Sequence, residues 1–194
     1  MNTLVVYCHP NPESFIAAAR DVVVDALRAD GDDVRLTDLY AEGFEPVFSA
    51  DEHEHHLDIG GHPDVERHVA DLQWCERLVL VYPTWWSGQP AMLKGWIDRV
   101  WVRGAVWELP TEGKRIEGRL RDLRRLVVVT THGSPKWVNA LQGEPGKRVV
   151  SRTLRAVCHP LARTRWIALY GLDRASDADR AAFLRSLPRR VTRR

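Results

Sequence analysis

Five short apolar runs, each separated from the next by a segment of helical period or by a polar loop, constrain this chain more than any other feature. Residues 4–7, 34–37, 78–82, 126–130 and 165–170 have the length and β-branched character of strands. Residues 15–29, 65–74, the stretch opened by Pro90, 146–157 and 176–187 have helical length, and several carry a clear apolar face, such as Val22, Val23, Ala26 and Leu27 in the first. Gly31 marks the end of that first helix and Ser176 caps the last. Strands alternating with helices build an α/β fold, a doubly wound five-stranded parallel sheet with helices on both faces. Two longer loops, 39–63 and 102–122, interrupt the plan and are candidates for a lid or a subunit interface.

With 194 residues, 44% hydrophobic and 28% charged, the chain has room for one core, and a single domain over 1–194 is the expectation. A net charge of +2 is too small to argue for nucleic acid, and no nucleic-acid partner is expected. The basic end, Arg189, Arg190, Arg193 and Arg194, reads as a solvated helix terminus. No apolar stretch approaches the roughly 20 residues of a membrane span, and Met1 leads directly into a strand without a signal-like segment. Cys8, Cys75 and Cys158 are odd in number and widely spaced, so neither a disulfide framework nor a zinc site is expected. A cytoplasmic location follows.

Chemistry is expected at the carboxyl ends of the strands, where open parallel sheets bind ligands. After the third strand, Pro83-Thr84-Trp85-Trp86 stand before the Pro90 helix, and the indoles offer stiff walls for a planar ligand. After the first strand, His9 is followed by Ser14, a good N-cap. The amides of Phe15, Ile16 and Ala17 would then face outward with the positive end of the helix dipole and form an anion seat. The plainer alternative is a simple cap with a loop histidine. Neither the glycine-rich dinucleotide fingerprint nor a phosphate loop with lysine is present. After the fourth strand, Thr130-Thr131-His132-Gly133-Ser134-Pro135-Lys136-Trp137 presents amides, hydroxyls and an aromatic ring, or else an ordinary turn. Together the three loops describe a flat, phosphorylated cofactor.

The chain resembles the flavodoxin-like NAD(P)H:quinone oxidoreductases, a group that includes the DT-diaphorases, modulators of drug activity and potassium-efflux ancillary reductases. The likeness spans nearly the whole chain and rests on His9 with Ser14-Phe15, residues 44–49, the block 83–86 with 90–99, Thr130-Thr131 and Leu141-Gln142-Gly143. It implies that His9, Ser14, Phe15 and Ile16 hold a flavin phosphate, that Pro83, Thr84, Trp85 and Trp86 run along the isoalloxazine, and that Thr130, Thr131 and Gly133 approach its pyrimidine edge. It further implies hydride transfer from NAD(P)H through the flavin to a quinone or similar planar acceptor. The residues expected around the reacting ring are Trp86, Thr131, His132 and Trp137. DT-diaphorases carry a tyrosine and a histidine around their Gln-Gly element; here Asn139 precedes Gln142-Gly143, and Glu144-Pro145 follow. The family histidine is missing, which leaves Trp137 and His132 as candidates for its role.

Arg180, in a segment resembling the family's adenine-side helix, inclines the expectation toward FAD, with FMN the alternative. The family's two-fold interface makes a homodimer the expectation, with Trp96, Trp101 and Trp107 as contact residues. The histidines at 53, 55, 56 and 62, mixed with acids, read as a solvated loop rather than a metal site. A flavin-binding regulatory subunit of a membrane transporter and a flavodoxin-type electron carrier are the alternatives; a carrier would ordinarily be acidic, which this chain is not.

Overall fold

The computed structural model describes residues 1–110 and 115–193. Residues 111–114 of the second long loop and Arg194 of the basic end lie outside them. In chain order the strands are β1 (Asn2–Tyr7), β2 (Asp33–Asp38), β3 (Arg77–Pro83), a small antiparallel pair β4 (Trp107–Glu108) and β5 (Glu117–Gly118), then β6 (Arg125–His132) and β7 (Arg163–Tyr170). The helices are α1 (Phe15–Ala29), α2 (Ala50–His55), α3 (Glu66–Trp74), α4 (Ala91–Val100), α5 (Lys136–Leu141), α6 (Pro145–Arg148) and α7 (Asp177–Thr192). The main sheet has the order β2-β1-β3-β6-β7 and every pairing is parallel. Connections leave β1 toward one edge and, from β3, run toward the other. The carboxyl ends of β1 and β3 therefore flank the crevice where the winding reverses.

Both faces of the sheet are covered, which is why its three central strands, β1, β3 and β6, are buried almost throughout instead of alternating, unlike the edge strands β2 and β7. One face of β1, β3 and β6 (Leu4, Val6, Leu78, Leu80, Leu126, Val128) packs on Leu72 of α3 and on Leu93 and Trp96 of α4. The other face (Val5, Tyr7, Val79, Val81, Val127, Val129, with Ile167 of β7) packs on Val23 and Leu27 of α1 and on Phe183, Leu187 and Val191 of α7. Ser14 and Ser176 cap α1 and α7 as expected, each accepting from a backbone amide three residues on.

Four expectations are corrected. The helix at 146–157 is α6 followed by a wide π turn over 149–153 and a tight 3-10 turn over 154–157; the β-branched Val149, Val150 and Thr153 fit a regular α-helix poorly. The irregular stretch 39–63 contains α2, fixed by a reciprocal Ser49–Glu52 capping box. The closing helix runs past Leu187 and through Pro188 to Thr192. Trp96 cannot serve a dimer contact, because its ring is 0% exposed in the core; Trp101 and Trp107 are half-buried against the same core.

Candidate functional site

The loop after β3 is a two-residue hairpin turn. The Trp85 amide donates to the Gly88 carbonyl at 3.2 Å, the Gly88 amide returns a bond to the Trp85 carbonyl at 3.0 Å, and Trp86 (φ 48°) and Ser87 (φ 62°) both adopt left-handed backbone. Turns of this shape ordinarily use Asn-Gly, since side chains pay roughly 1–2 kcal/mol each in that region. Two neighbours hold it. The Gly146 amide donates to the Ser87 carbonyl at 3.1 Å, and the Ser87 hydroxyl bonds Gln142 Oε1. Gly146 packs closely here: a Cβ would stand 3.1 Å from that carbonyl, so the turn would have to give by a few tenths of an ångström. The consequence is an indole, Trp86, that is 102% exposed, beside a half-covered Trp85 at 43%. Strain kept in this way at an exposed aromatic is a mark of function.

Across the crevice lies the loop after β1. Ser14 Oγ accepts from the Ala17 amide at 3.2 Å and the Ser14 carbonyl accepts from the same amide at 2.9 Å, so Ala17 is engaged and not free as its sequence position suggested. The Phe15 and Ile16 amides, the first two of α1, donate to nothing among the described residues. The Asn11 amide donates to His9 Nδ1 at 3.0 Å, which leaves the far ring nitrogen to face outward, and the His9 and Trp85 rings stand 6.2 Å apart. An anion seat and an indole wall therefore adjoin.

The floor is built by the ends of β3 and β6. The Thr84 amide donates to the Thr131 carbonyl at 2.8 Å, and the Thr84 and Thr130 hydroxyls are 2.9 Å apart. Thr130 and Thr131 are both buried: the Thr130 hydroxyl meets that of Thr84, whereas Thr131 meets Thr84 through its backbone carbonyl and turns its side chain to the other face of β6. His132 Nε2 is 3.4 Å from Thr84 Oγ1, and the ring stacks on Tyr170 at 4.6 Å and 18°. Burial pushes the His132 imidazole below its ordinary range. The Tyr170 hydroxyl donates to Glu144 Oε1 at 3.0 Å, while Lys147, by donating to Glu144 at 2.9 Å, holds that carboxyl below the usual range. The Gly133 and Ser134 amides have no acceptor among the described residues, and a Cβ on Gly133 would meet Asp173 at 2.6 Å.

Thr84, Trp86, Ser87, His132, Gly133, Ser134, Asn139 and Gln142 enclose a cleft of about 490 Å³. Exposed indole, free amides and this volume suit a flat ring with hydrogen-bonding edges. Trp137 lies on the outside of α5, 66% exposed, and is not part of that lining. Arg180 lies on α7 one turn before Phe183, whose ring is 6.1 Å from that of Phe15; its guanidinium donates to the Leu172 carbonyl at 3.4 Å. The histidine-rich stretch is elsewhere. It borders a second concavity of about 450 Å³ with Phe48, Ile59, Trp101 and Trp107, next to buried Arg99, which donates to Glu52 at 2.6 Å and to Asp64 at 2.7 Å. Among the described residues no cluster has the arrangement of a metal site.

A profile of the flavodoxin-like fold matches residues 1–187. The chain belongs to the flavodoxin-like family. Ribosyldihydronicotinamide dehydrogenase (quinone) of Pongo abelii is 30% identical over 148 residues, which are 68% of this chain and 63% of that protein. NAD(P)H dehydrogenase (quinone) 1 of Rattus norvegicus is 29% identical over 166 residues, 74% of this chain and 57% of the relative. The chain thus spans less than two thirds of these curated relatives. Among solved structures, a Streptococcus mutans protein superposes with TM-score 0.86 at 29% identity over 99% of both chains. An NAD(P)H:quinone oxidoreductase from Methanothermobacter marburgensis superposes with TM-score 0.85 at 22% identity, over 100% of this chain and 98% of that one, a likeness of fold. The resemblance read from the 83–99 block is borne out at this level. Within the flavodoxin-like frame, sequence reasoning passed over Tyr170 and Asp173. Tyr170 ends the fifth strand, so the edge rule that singled out the other loops also covered it.

Proposed function

We propose that this protein is a flavin-dependent NAD(P)H oxidoreductase that reduces quinones or similar planar acceptors by two electrons. The observation that carries the reading is the crevice between the ends of β1, β3 and β6, where the exposed indole of Trp86, on left-handed backbone, shares a cleft with amides that have no acceptor among the described residues. When bound, the flavin supplies the redox chemistry, accepting hydride from NAD(P)H and passing it to the acceptor. In this reading the Phe15 and Ile16 amides, with His9 and the Ser14 cap, bind phosphate at the positive end of α1. Pro83, Thr84, Trp85 and Trp86 set the plane of the ring. The backbone from Thr131 to Gly133 faces the pyrimidine edge, where negative charge develops on reduction and fixed amide dipoles stabilise it without reorganising. Buried His132, neutral and backed by Tyr170 and Glu144, keeps the Thr84 hydroxyl in place at that edge. Trp137, exposed on α5 and outside the cleft lining, has no role in this reading.

FAD is proposed over FMN, because Arg180 lies near the amino end of α7 with its buried Nε lacking a partner among the described residues. A homodimer is proposed on the apolar side chains of Val47, Phe48, Leu57 and Ile59, all exposed on one stretch of chain. The cytoplasm is the proposed compartment: Cys8, Cys75 and Cys158 are free, and burial pushes each thiol up to about 12. Among the described residues no helix is long and apolar enough to cross a membrane.

The test is an absorption spectrum of the purified protein mixed with FAD or FMN, followed by anaerobic NADPH and then a quinone. A bound flavin band that bleaches with NADPH and returns with quinone supports the reading, and chromatography of the released flavin decides between FAD and FMN. A protein that binds neither flavin overturns it; one that bleaches but does not turn over quinone is a carrier or a regulatory subunit.

A further inference from the structure

The opposite edge of the sheet carries a second site. Parallel register places Thr3 of β1, Arg77 of β3, Arg125 of β6 and Arg163 of β7 in one cross-strand row at the amino ends of the strands, with Arg165 two residues along β7. Side chains in such a row share a face, here the one covered by α1 and α7. Among the described residues one arginine of the row is neutralised. Arg77, 1% exposed, donates to Asp32 Oδ2 at 2.7 Å, and Thr3 donates to the same oxygen at 2.6 Å. Among the described residues, no carboxylate pairs with Arg125, Arg163, Arg165 or Arg193.

These four arginines line one concavity of about 150 Å³ together with Val127, Thr164 and Val191. Arg165 spends one nitrogen on the last carbonyls of α7, donating to Arg190 at 2.6 Å and Arg193 at 3.1 Å. That helix end offers roughly half a negative charge, far less than the cations around it. Arg125 Nη1 is buried and donates to nothing among the described residues. Burial, Arg193, Arg125 and Arg190, in that order, pull the Arg165 guanidinium below its ordinary value, the mark of like charges held together. The volume holds about five waters at about 30 Å³ each, which suits a tetrahedral oxyanion and is too small for a nucleotide.

We propose that the cavity between β6, β7 and the end of α7 binds a phosphate-type oxyanion through Arg125, Arg163, Arg165 and Arg193. Arginine is the suited residue, because its planar fork meets two oxygens at once. The eight residues of β6 put this site roughly 23 Å from the cleft at the carboxyl edge, so it stands independently of the flavin reading.

The experiment is thermal unfolding of the flavin-loaded protein, or of the protein as purified if no flavin binds, with inorganic phosphate titrated against chloride at constant ionic strength. The expected result is a saturable rise in Tm of about 3–6 °C at phosphate ten times its dissociation constant. Arg125→Gln and, as a milder change at an exposed position, Arg163→Gln should each cut the apparent phosphate affinity at least tenfold; Arg185→Gln, an equal charge loss elsewhere on α7, should not. A rise equally large in chloride, or one that survives both Arg125→Gln and Arg163→Gln, overturns the proposal.

Discussion

The two ends of the same parallel strands solve the problem of unpaired groups in opposite ways. At the carboxyl edge the exposed chemistry is backbone: free amides at the start of α1 and after His132, and a turn whose left-handed residues hold an indole in solvent. At the amino edge it is side-chain charge, a row of guanidiniums of which one is matched by a buried carboxylate. Amides fixed by secondary structure give geometry at little entropic cost. Long cationic side chains give charge but little placement. A cofactor that must be oriented to fractions of an ångström suits the first edge, and a small symmetric anion suits the second.

The largest change expected is at the amino edge. Asp32→Ala leaves Arg77 buried and unpaired, and the urea midpoint should fall by the equivalent of about 3–5 kcal/mol while flavin affinity of the folded fraction is unchanged. If flavin affinity falls in parallel, the two edges are not independent. Next comes Thr84→Val, which strips the buried Thr130 hydroxyl of its partner and should cost about 1–3 kcal/mol, with weaker flavin binding besides. Trp86→Gly tests whether strain is maintained for function: unfolding free energy should rise by about 0.5–1 kcal/mol, as glycine accepts φ 48° freely, while flavin binding weakens. Lower stability, or unchanged affinity, would remove the functional reading of that turn. A further effect is in pH. Burial lowers the imidazole of His132, so its contribution is fully present above the unfolded value near 6.5 and is lost as pH falls toward the folded value. His68, pushed down to about 4 by burial, gives a loss of the same sign between 6.5 and about 4. Urea midpoints at pH 7 and pH 5 should lie closer together in His132→Gln and in His68→Gln than in the parent protein. Guanidiniums do not titrate there, so the amino edge should contribute nothing to the slope.

Much of this architecture is written locally. Apolar strands, the Ser14 and Ser176 caps and the glycine after α1 declare themselves within a few residues, and the reversal of winding between β1 and β3 then puts the 83–90 loop at the crevice. What stays hidden is set by pairing between distant residues. The left-handed turn at Trp86-Ser87 contradicts the intrinsic preference of both residues and exists because the 142–146 segment grips it. The stack of His132 on Tyr170, and the bond from Tyr170 to Glu144, join the ends of β6 and β7 to the start of α6. Arg77, Arg125 and Arg163 look like scattered surface charges until strand register aligns them. Thr130 and Thr131 are legible as neighbours of the site, but only the fold shows that one holds Thr84 by its hydroxyl and the other by its backbone carbonyl.

The exposure of Trp86 gives the molecule its own optical gauge. Of eight tryptophans, this indole is the one wholly in water, whereas Trp96 is sealed in the core. Its emission should lie at the red end of the spectrum and be the first to be quenched by a planar ligand, so occupancy of the cleft can be followed by fluorescence without any added label.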